Sequence, residues 1–105
     1  MSDNRHWLLV DDDESFLHVL QRSLARLDIT AHTATTPEQA LAKVTAPEIH
    51  RCVLDLNLAG ASGLQLLPEL RTARPDLEVV VLTGYGSIAT AVEAMRRGAV
   101  NYLCK

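Results

Sequence analysis

The sequence predicts an α/β fold, a doubly wound parallel sheet of five strands with helices on both faces. Short apolar runs alternate along the chain with longer segments of helical periodicity, as in repeated β-α units. Three of the runs are continuously apolar, which is typical of parallel strands buried on both faces. With 105 residues, of which 48% are apolar and 22% charged, the chain can form one domain around one hydrophobic core.

Five apolar runs are the predicted strands, and Pro, Gly, Asp and Thr stand between them and the helical segments. The second run, Ile-Thr-Ala-His-Thr, is the weakest. Helical crossovers between parallel strands are right-handed, which completes the doubly wound arrangement. The runs lie at residues 7–10, 29–33, 52–54, 79–82 and 102–104.

A first helix is predicted from residue 14 to residue 27, between the first two strands. Its apolar residues recur at steps of three and four, so they share one face of the helix. They are Phe16, Leu17, Leu20, Leu24 and Leu27. Asp13 precedes this helix and is expected to help start it, because an acid there faces the positive end of the helix dipole.

Start and stop signals bound the second and third helices. Thr36 is the expected N-cap of the second helix, with Pro37 at its first position, and this helix ends before Pro47. The third helix is predicted at residues 64–73. Pro68 lies inside it and removes one N–H donor, which favours a kink. Its inward-facing residues are Leu67 and Leu70.

A fourth helix is predicted to begin at Ser87 and to stop at Gly98, a residue typical of helix C-termini. Ile88, Val92 and Met95 recur at helical spacing and are expected to be buried. The arginines near the ends of the third and fourth helices are expected to be solvated: Arg71, Arg74, Arg96 and Arg97.

Composition excludes several classes of function. The 10 basic and 13 acidic residues leave a net charge of −3, which argues against this chain alone binding nucleic acid. No apolar run approaches the about 20 residues of a membrane helix, and the N-terminus is polar, so a cytoplasmic protein without membrane contact is expected. Cys52 and Cys104 lie in apolar segments and are expected to be reduced, buried thiols. The four histidines show no metal-ligand spacing, so no zinc site is expected.

Polar residues follow the predicted strands at the edge where such sheets bind ligands. Any one of them fits a cap or a turn. Several carboxylates on one edge repel one another, however, and need a counter-charge, which either a divalent cation such as Mg²⁺ or a lysine supplies. The polar residues are Asp11, Asp12 and Asp13 after the first strand, Asp55 and Asn57 after the third, Thr83 and Gly84 after the fourth, and Lys105 after the fifth.

This set of groups is suited to accept a phosphoryl group. A metal ion and an ammonium group neutralise the charge of a phosphoryl group in transfer, and an aspartate nucleophile then gives an acyl phosphate. Gly84 leaves room for the phosphoryl group and offers its backbone N–H. Tyr85, two residues after Thr83, is a candidate gate for water, although a solvent-exposed loop aromatic is an equal reading.

Four stretches carry these residues, and together they resemble the receiver domain of two-component response regulators over the whole chain. The resemblance implies the flavodoxin-like strand order 2-1-3-4-5. It also implies a signalling domain, not an enzyme with external substrates, that supports its own phosphotransfer and slow autodephosphorylation. The stretches are L-L-V-D-D-D-E, V-L-D-L-N-L-A-G-A-S-G-L, V-V-V-L-T-G-Y-G and N-Y-L-C-K.

The same resemblance assigns roles residue by residue. Asp55 is the implied phosphoacceptor, Lys105 would pair with the phosphoryl group, and Thr83 and Tyr102 would form a switch pair. Phosphorylation would draw Thr83 inward and let Tyr102 turn into the vacated space. The implied Mg²⁺ ligands are Asp12, Asp55, the backbone carbonyl of Asn57 and, partly through water, Asp11.

A longer stretch, L-T-G-Y-G-S-I-A-T-A-V-E-A-M-R-R-G-A-V-N-Y-L-C-K, is similar to the RegA/PrrA/ActR group of transcriptional regulators. This similarity implies a sensor histidine kinase as phosphoryl donor, and DNA contact only through a helix-turn-helix effector domain absent from this chain. Receivers continue beyond the lysine into a fifth helix, whereas this chain stops at Lys105. We therefore expect residues 1–105 to be a receiver domain truncated after the fifth strand, with exposed apolar surface that favours a homodimer or other self-association.

Three other functions compete with a phosphoacceptor module. A phosphatase with an aspartate nucleophile would want a second acid where Asn57 stands, and a cap over its substrate. A nucleotide or flavin binder would need a Gly-rich loop after the first strand, where three aspartates stand. An interaction module that no longer takes phosphate would have lost Asp55, Thr83 or Lys105, and all three are present.

Overall fold

A computed structural model describes residues 5–58, 61–84 and 88–104, which contain a parallel five-stranded sheet. Its strands are β1 (His6–Val10), β2 (Thr30–Ala34), β3 (Ile49–Asp55), β6 (Glu78–Thr83) and β7 (Asn101–Cys104), and a small antiparallel ribbon is formed by β4 (Asn57–Leu58) and β5 (Ala61–Ser62). The sheet order is β2-β1-β3-β6-β7. Counted over the sheet strands alone, this is the order 2-1-3-4-5 that the resemblance implied.

The helices in the described ranges are α1 (Glu14–Ala25), α2 (Pro37–Lys43), α3 (Gly63–Ala73) and α4 (Ile88–Arg96). Successive strand side chains point to opposite faces, so the sheet buries two apolar clusters. The larger cluster packs Leu8, Leu54 and Val81 against residues of α2, α3 and α4, and the smaller packs Leu9 and Val53 against α1. None of the described helices has the length and apolar character that crossing a membrane requires.

The predicted starts of α1 and α2 are confirmed. The side chain of Asp13 accepts a hydrogen bond from the backbone N–H of Phe16 at 3.1 Å. Thr36 caps α2 in the same way by accepting from Gln39 at 3.2 Å, with Pro37 at the first helical position. Each of these bonds satisfies a backbone donor that a helix start leaves without a helical partner.

Arg97 connects α4 to α3 at the place where Pro68 interrupts the helical hydrogen bonds. A proline inside a helix leaves the carbonyl four residues earlier without its helical donor, and here that carbonyl belongs to Leu64. The Arg97 guanidinium donates to this carbonyl at 3.0 Å and to the Glu93 carboxylate at 2.9 Å. Arg97 is therefore more than the solvated helix end that was expected, because it satisfies the acceptor that Pro68 leaves open.

The expectation that Arg74 is solvated is wrong. Its side chain is only 14% exposed and pairs with Asp76 at 3.1 Å, a hydrogen bond that lowers the pKa of the Asp76 carboxyl. Arg71 likewise donates to the carbonyl of Leu77. Both arginines donate to backbone carbonyls of segments that are distant in the sequence or follow their helix. Those of Arg74 are Val44 at 3.0 Å, Ala46 at 2.8 Å and Ile49 at 2.8 Å.

The predicted inward face of α4 is also wrong. Ile88, Val92 and Met95 are 71%, 51% and 40% exposed, whereas Ala91 and Ala94 are buried. Small side chains let the helix lie close to the sheet, so the large residues face outward. The predicted start of this helix at residue 87 lies outside the described residues.

Two further burial predictions need correction. α1 ends at Ala25, before Leu27, which is 69% exposed. Asp28 then takes a positive φ of 62°, a conformation in which the chain leaves the helix for β2. Cys52 is buried as predicted, but Cys104 is exposed, because β7 is an edge strand whose four residues are all exposed.

Candidate functional site

Asp11 is a buried carboxylate at the carboxyl end of β1. It is 1% exposed, and its backbone N–H donates to the carbonyl of Ala34 at 3.1 Å, which extends the pairing of β1 with β2. One of its carboxylate oxygens accepts from the backbone N–H of Asp13 at 3.0 Å. The chain thus turns around the Asp11 carboxylate before α1 begins.

Asp55 occupies the matching position at the end of β3 and is 3% exposed. One of its carboxylate oxygens accepts from the backbone N–H of Asn57 at 3.0 Å. Each buried acid is therefore held by the N–H two residues further along the chain, and a hydrogen bond of this kind stabilises an ionised carboxylate.

The structure brings three of the predicted metal ligands together. Asp11, Asp12 and Asp55 each offer a carboxylate oxygen, and these oxygens all lie within 4.8 Å of one another, with Asp12 the exposed member. Ligand atoms on opposite sides of one ion are about 4.2 Å apart for Mg²⁺ and about 5 Å apart for Ca²⁺. The cluster therefore fits one hard divalent cation with oxygen ligands. Asp13 caps α1 instead, as expected.

Gly63 supports the turn after Asp55, and sequence reasoning gave it no role. The backbone N–H of Leu56 donates to Leu82 of the neighbouring strand at 3.1 Å, and Gly63 donates back to the Leu56 carbonyl at 3.1 Å. A Cβ at position 63 would lie 2.6 Å from the Cα of Leu56, which no real side chain allows. Only glycine fits, and the G-A-S-G run after the acid was the sequence signal.

The other predicted site residues lie on the neighbouring strands. Thr83 ends β6 and is 5% exposed, and the β3–β6 register pairs Asp55 with the residue before it. Gly84 follows, and within the described ranges only its chain neighbours could lie within 4 Å of the position that a Cβ would take. Tyr102 lies in β7 opposite Val81 and is 43% exposed. Asn57 is in β4, beside the turn. The predictions for Tyr85 and Lys105 lie outside the described residues.

Comparison with known proteins identifies the family. Residues 7–105 match the response regulator receiver domain. The chain is 43% identical over 102 residues to the photosynthetic apparatus regulatory protein RegA of Cereibacter sphaeroides, covering 97% of this chain and 55% of that protein. It is 40% identical over 98 residues to the acid tolerance regulatory protein ActR of Rhizobium meliloti, covering 93% and 50%. The chain spans about half the length of these curated relatives.

Solved structures agree with this assignment. A response regulator from Burkholderia pseudomallei, crystallised with a phosphorylated aspartic acid, a calcium ion and citrate, has a TM-score of 0.91 at 41% identity and covers 98% of this chain and 60% of that one. The receiver domain of NtrX from Brucella abortus has a TM-score of 0.87 at 35% identity, covering 93% and 83%. These matches confirm the predicted fold and the resemblance to receiver domains. The chain belongs to the response regulator receiver domain family.

Proposed function

We propose that Asp55 accepts a phosphoryl group from the phosphohistidine of a sensor histidine kinase, and that this modification switches a transcriptional regulator. The observation that carries the proposal is the cluster of Asp11, Asp12 and Asp55, whose carboxylate oxygens lie within 4.8 Å of one another at the carboxyl ends of β1 and β3. An acid cluster of this kind with a buried Asp55 suits phosphoryl transfer better than simple turn formation.

The transfer is a displacement at phosphorus. A carboxylate oxygen of Asp55 forms the new O–P bond, the N–P bond of the donor breaks, and its electron pair stays on the imidazole nitrogen. The backbone N–H of Asn57 donates to the Asp55 carboxylate at 3.0 Å, and this hydrogen bond fixes the orientation of the attacking group. Attack of water on the resulting acyl phosphate returns Asp55 and inorganic phosphate, which is the proposed slow autodephosphorylation.

We assign the metal as Mg²⁺. Asp11, Asp12 and Asp55 would hold it together with the backbone carbonyl of Asn57, and the all-oxygen donor set suits this ion. When bound, the ion would neutralise part of the charge on the phosphoryl group. Without a cation, the three acids repel one another.

The switch is assigned to Thr83 and Tyr102. Thr83 is buried beside the strand that ends in Asp55, so its hydroxyl is suited to contact a phosphoryl group there, and Lys105 is the proposed ammonium partner. Tyr102 is 43% exposed, so an outward orientation is already available to it. Movement of Thr83 toward the phosphoryl group would open space for the Tyr102 ring, and the surface of α4 and β7 would change with it.

Other parts of the function remain predictions. We propose that DNA is contacted only through an effector domain outside this chain, since relatives such as RegA carry the name of regulatory proteins and this chain spans 55% of that one. A homodimer and a cytoplasmic location are expected from the sequence.

Incubation with Mg²⁺ and acetyl phosphate tests the proposal, with intact-mass detection of one phosphoryl adduct. The adduct should form on the wild-type chain and on the exposed-acid control Asp76→Asn, and should be absent from Asp55→Asn and strongly reduced in Asp12→Asn. Retention of the adduct by Asp55→Asn would place the phosphoacceptor elsewhere. A folded wild-type chain that takes no phosphate would favour the alternative of an interaction module independent of phosphorylation.

A further inference from the structure

Two histidines that lie 26 residues apart in sequence meet on neighbouring strands. His6 begins β1, and His32 lies in β2 opposite Leu8, so both side chains project from the same face of the sheet. Their ring nitrogens, Nδ1 of His6 and Nε2 of His32, are 3.1 Å apart, and both residues are half-buried. The strand pairing therefore creates a two-imidazole pair that no short sequence spacing reveals.

The two rings meet at the edges that carry these nitrogens. The ring centroids are 5.4 Å apart and the ring planes differ by 28°. The centroids are further apart than the two nitrogens by about the sum of the two ring radii. Both nitrogens therefore lie on the line between the centroids. One proton between the nitrogens completes this arrangement, with one ring as donor and the other as acceptor.

A metal ion can replace that proton. Imidazole nitrogens bind Zn²⁺ at about 2.0–2.1 Å, and two nitrogens 3.1 Å apart would then subtend an angle of about 95–102° at the ion. This lies between the angles of square-planar and tetrahedral coordination. The ion would sit beside the line that joins the two nitrogens, so both rings must turn from their hydrogen-bonded orientation to direct their lone pairs at it. The torsion about each Cβ–Cγ bond has a broad energy minimum, which permits part of this change.

We propose that His6 and His32 form a chelating site for a borderline divalent transition-metal ion, with Cu²⁺ bound more tightly than Ni²⁺ or Zn²⁺. Imidazole favours these ions, and their order of affinity follows the general series for nitrogen ligands. The site is separate from the carboxylate cluster, because His6 and Asp11 lie at opposite ends of β1, about 16 Å apart along the strand. It therefore does not depend on the proposed phosphoacceptor function.

Copper binding tests the proposal. Cu²⁺ is added to a Cys104→Ser chain, since the exposed Cys104 thiol would reduce copper, and excess Mg²⁺ occupies the carboxylates. Pulsed electron paramagnetic resonance should count two imidazoles on one bound Cu²⁺. His6→Gln and His32→Gln should each weaken binding about a hundredfold, because the second ligand acts at a high effective concentration. The control His18→Gln removes an exposed histidine of α1 and should leave the affinity unchanged.

Two results would overturn the proposal. The first is a count of one imidazole or none on the Cys104→Ser chain, which retains both histidines and so decides the question even if a variant fails to fold. The second is unchanged copper affinity in a folded His6→Gln or His32→Gln variant, with folding verified by far-UV circular dichroism. Loss of binding in only one variant would indicate a single-histidine site and would equally contradict the chelate.

Discussion

Gly63→Ala is expected to distort the turn that supports the proposed phosphoacceptor. A Cβ at position 63 would lie 2.6 Å from the Cα of Leu56 and closer still to the carbonyl oxygen of Asp55. Both neighbours are backbone atoms, so no side chain can rotate away. Ordinary contact begins at 3.4 Å, so relief of the 2.4 Å approach to that oxygen requires the start of α3 and the end of β3 to separate by about 1.0 Å.

This separation sets the expected size of the effect. Overpacking costs about 1–3 kcal/mol, and a clash between two backbones belongs at the upper end. Alanine recovers up to about 1 kcal/mol because it is a better helix former than glycine. The net loss in the free energy of unfolding should be about 2 kcal/mol, measured by urea denaturation. Displacement of Asp55 by nearly 1 Å should also slow labelling by acetyl phosphate about a hundredfold.

Gly84→Ala is the matched control for stability. Among the described residues other than its chain neighbours, none places a heavy atom within 4 Å of the Cβ position at Gly84, and its φ is not in the positive range that favours glycine. Its free energy of unfolding should stay within about 0.5 kcal/mol of the wild-type value. Equal stability of Gly63→Ala and Gly84→Ala would refute the argument that the turn after Asp55 requires glycine.

Three further predictions concern single contacts. Arg97→Ala should lower the free energy of unfolding by about 1 kcal/mol, because the Leu64 carbonyl loses its donor, and by less in a Pro68→Ala background, where a backbone N–H is restored. An equal loss in both backgrounds would contradict the link. Burial raises the pKa of the Cys52 thiol from 9.0 to about 12. The unfolded chain therefore loses this proton first, so the thiol does not reduce stability below pH 9. Between pH 9 and pH 12, urea titrations should show the wild-type chain losing about 1.4 kcal/mol per pH unit more than Cys52→Ala, and equal slopes would refute this. Asp13→Ala should lower the free energy of unfolding by about 1 kcal/mol, because α1 loses its capping oxygen, and should weaken Mg²⁺ binding measured by calorimetry. Asp13→Ser retains a capping oxygen and should preserve both the stability and the Mg²⁺ affinity.

The fold was predictable because buried parallel strands appear in the amino-acid sequence as apolar runs. The runs at residues 52–54 and 79–82 lie inside β3 and β6, and the acids that follow the first and third runs do meet at one edge of the sheet. The prediction of the buried face of α4 failed because the helical spacing of Ile88, Val92 and Met95 was taken to mark that face. The structure buries alanines instead, and alanine gives a weak hydrophobic signal in a sequence.

The side-chain contacts that Arg97, Arg74 and His6 make with distant segments could not be predicted from the sequence. The sequence shows that Pro68 deprives a carbonyl of its donor, but only the packing of α4 on α3 shows that Arg97 replaces it. The backbone carbonyls to which Arg74 donates likewise cannot be identified from the sequence alone. The His6–His32 pair depends on the register of β1 with β2, so a search for closely spaced ligands misses it.

The two buried acids also explain which residues of the site a sequence can reveal. Asp11 and Asp55 are each oriented by a backbone N–H, from Asp13 and Asn57, and a backbone donor is available from any residue that keeps the turn. The acids themselves must be carboxylates, so they are visible in the sequence, whereas their donors leave no required side chain. Gly63 is the exception among the supporting residues, because two backbone segments touch there and no side chain fits between them. Substitution should therefore be tolerated at the orienting positions wherever the turn survives, and penalised at position 63 even by a single methyl group.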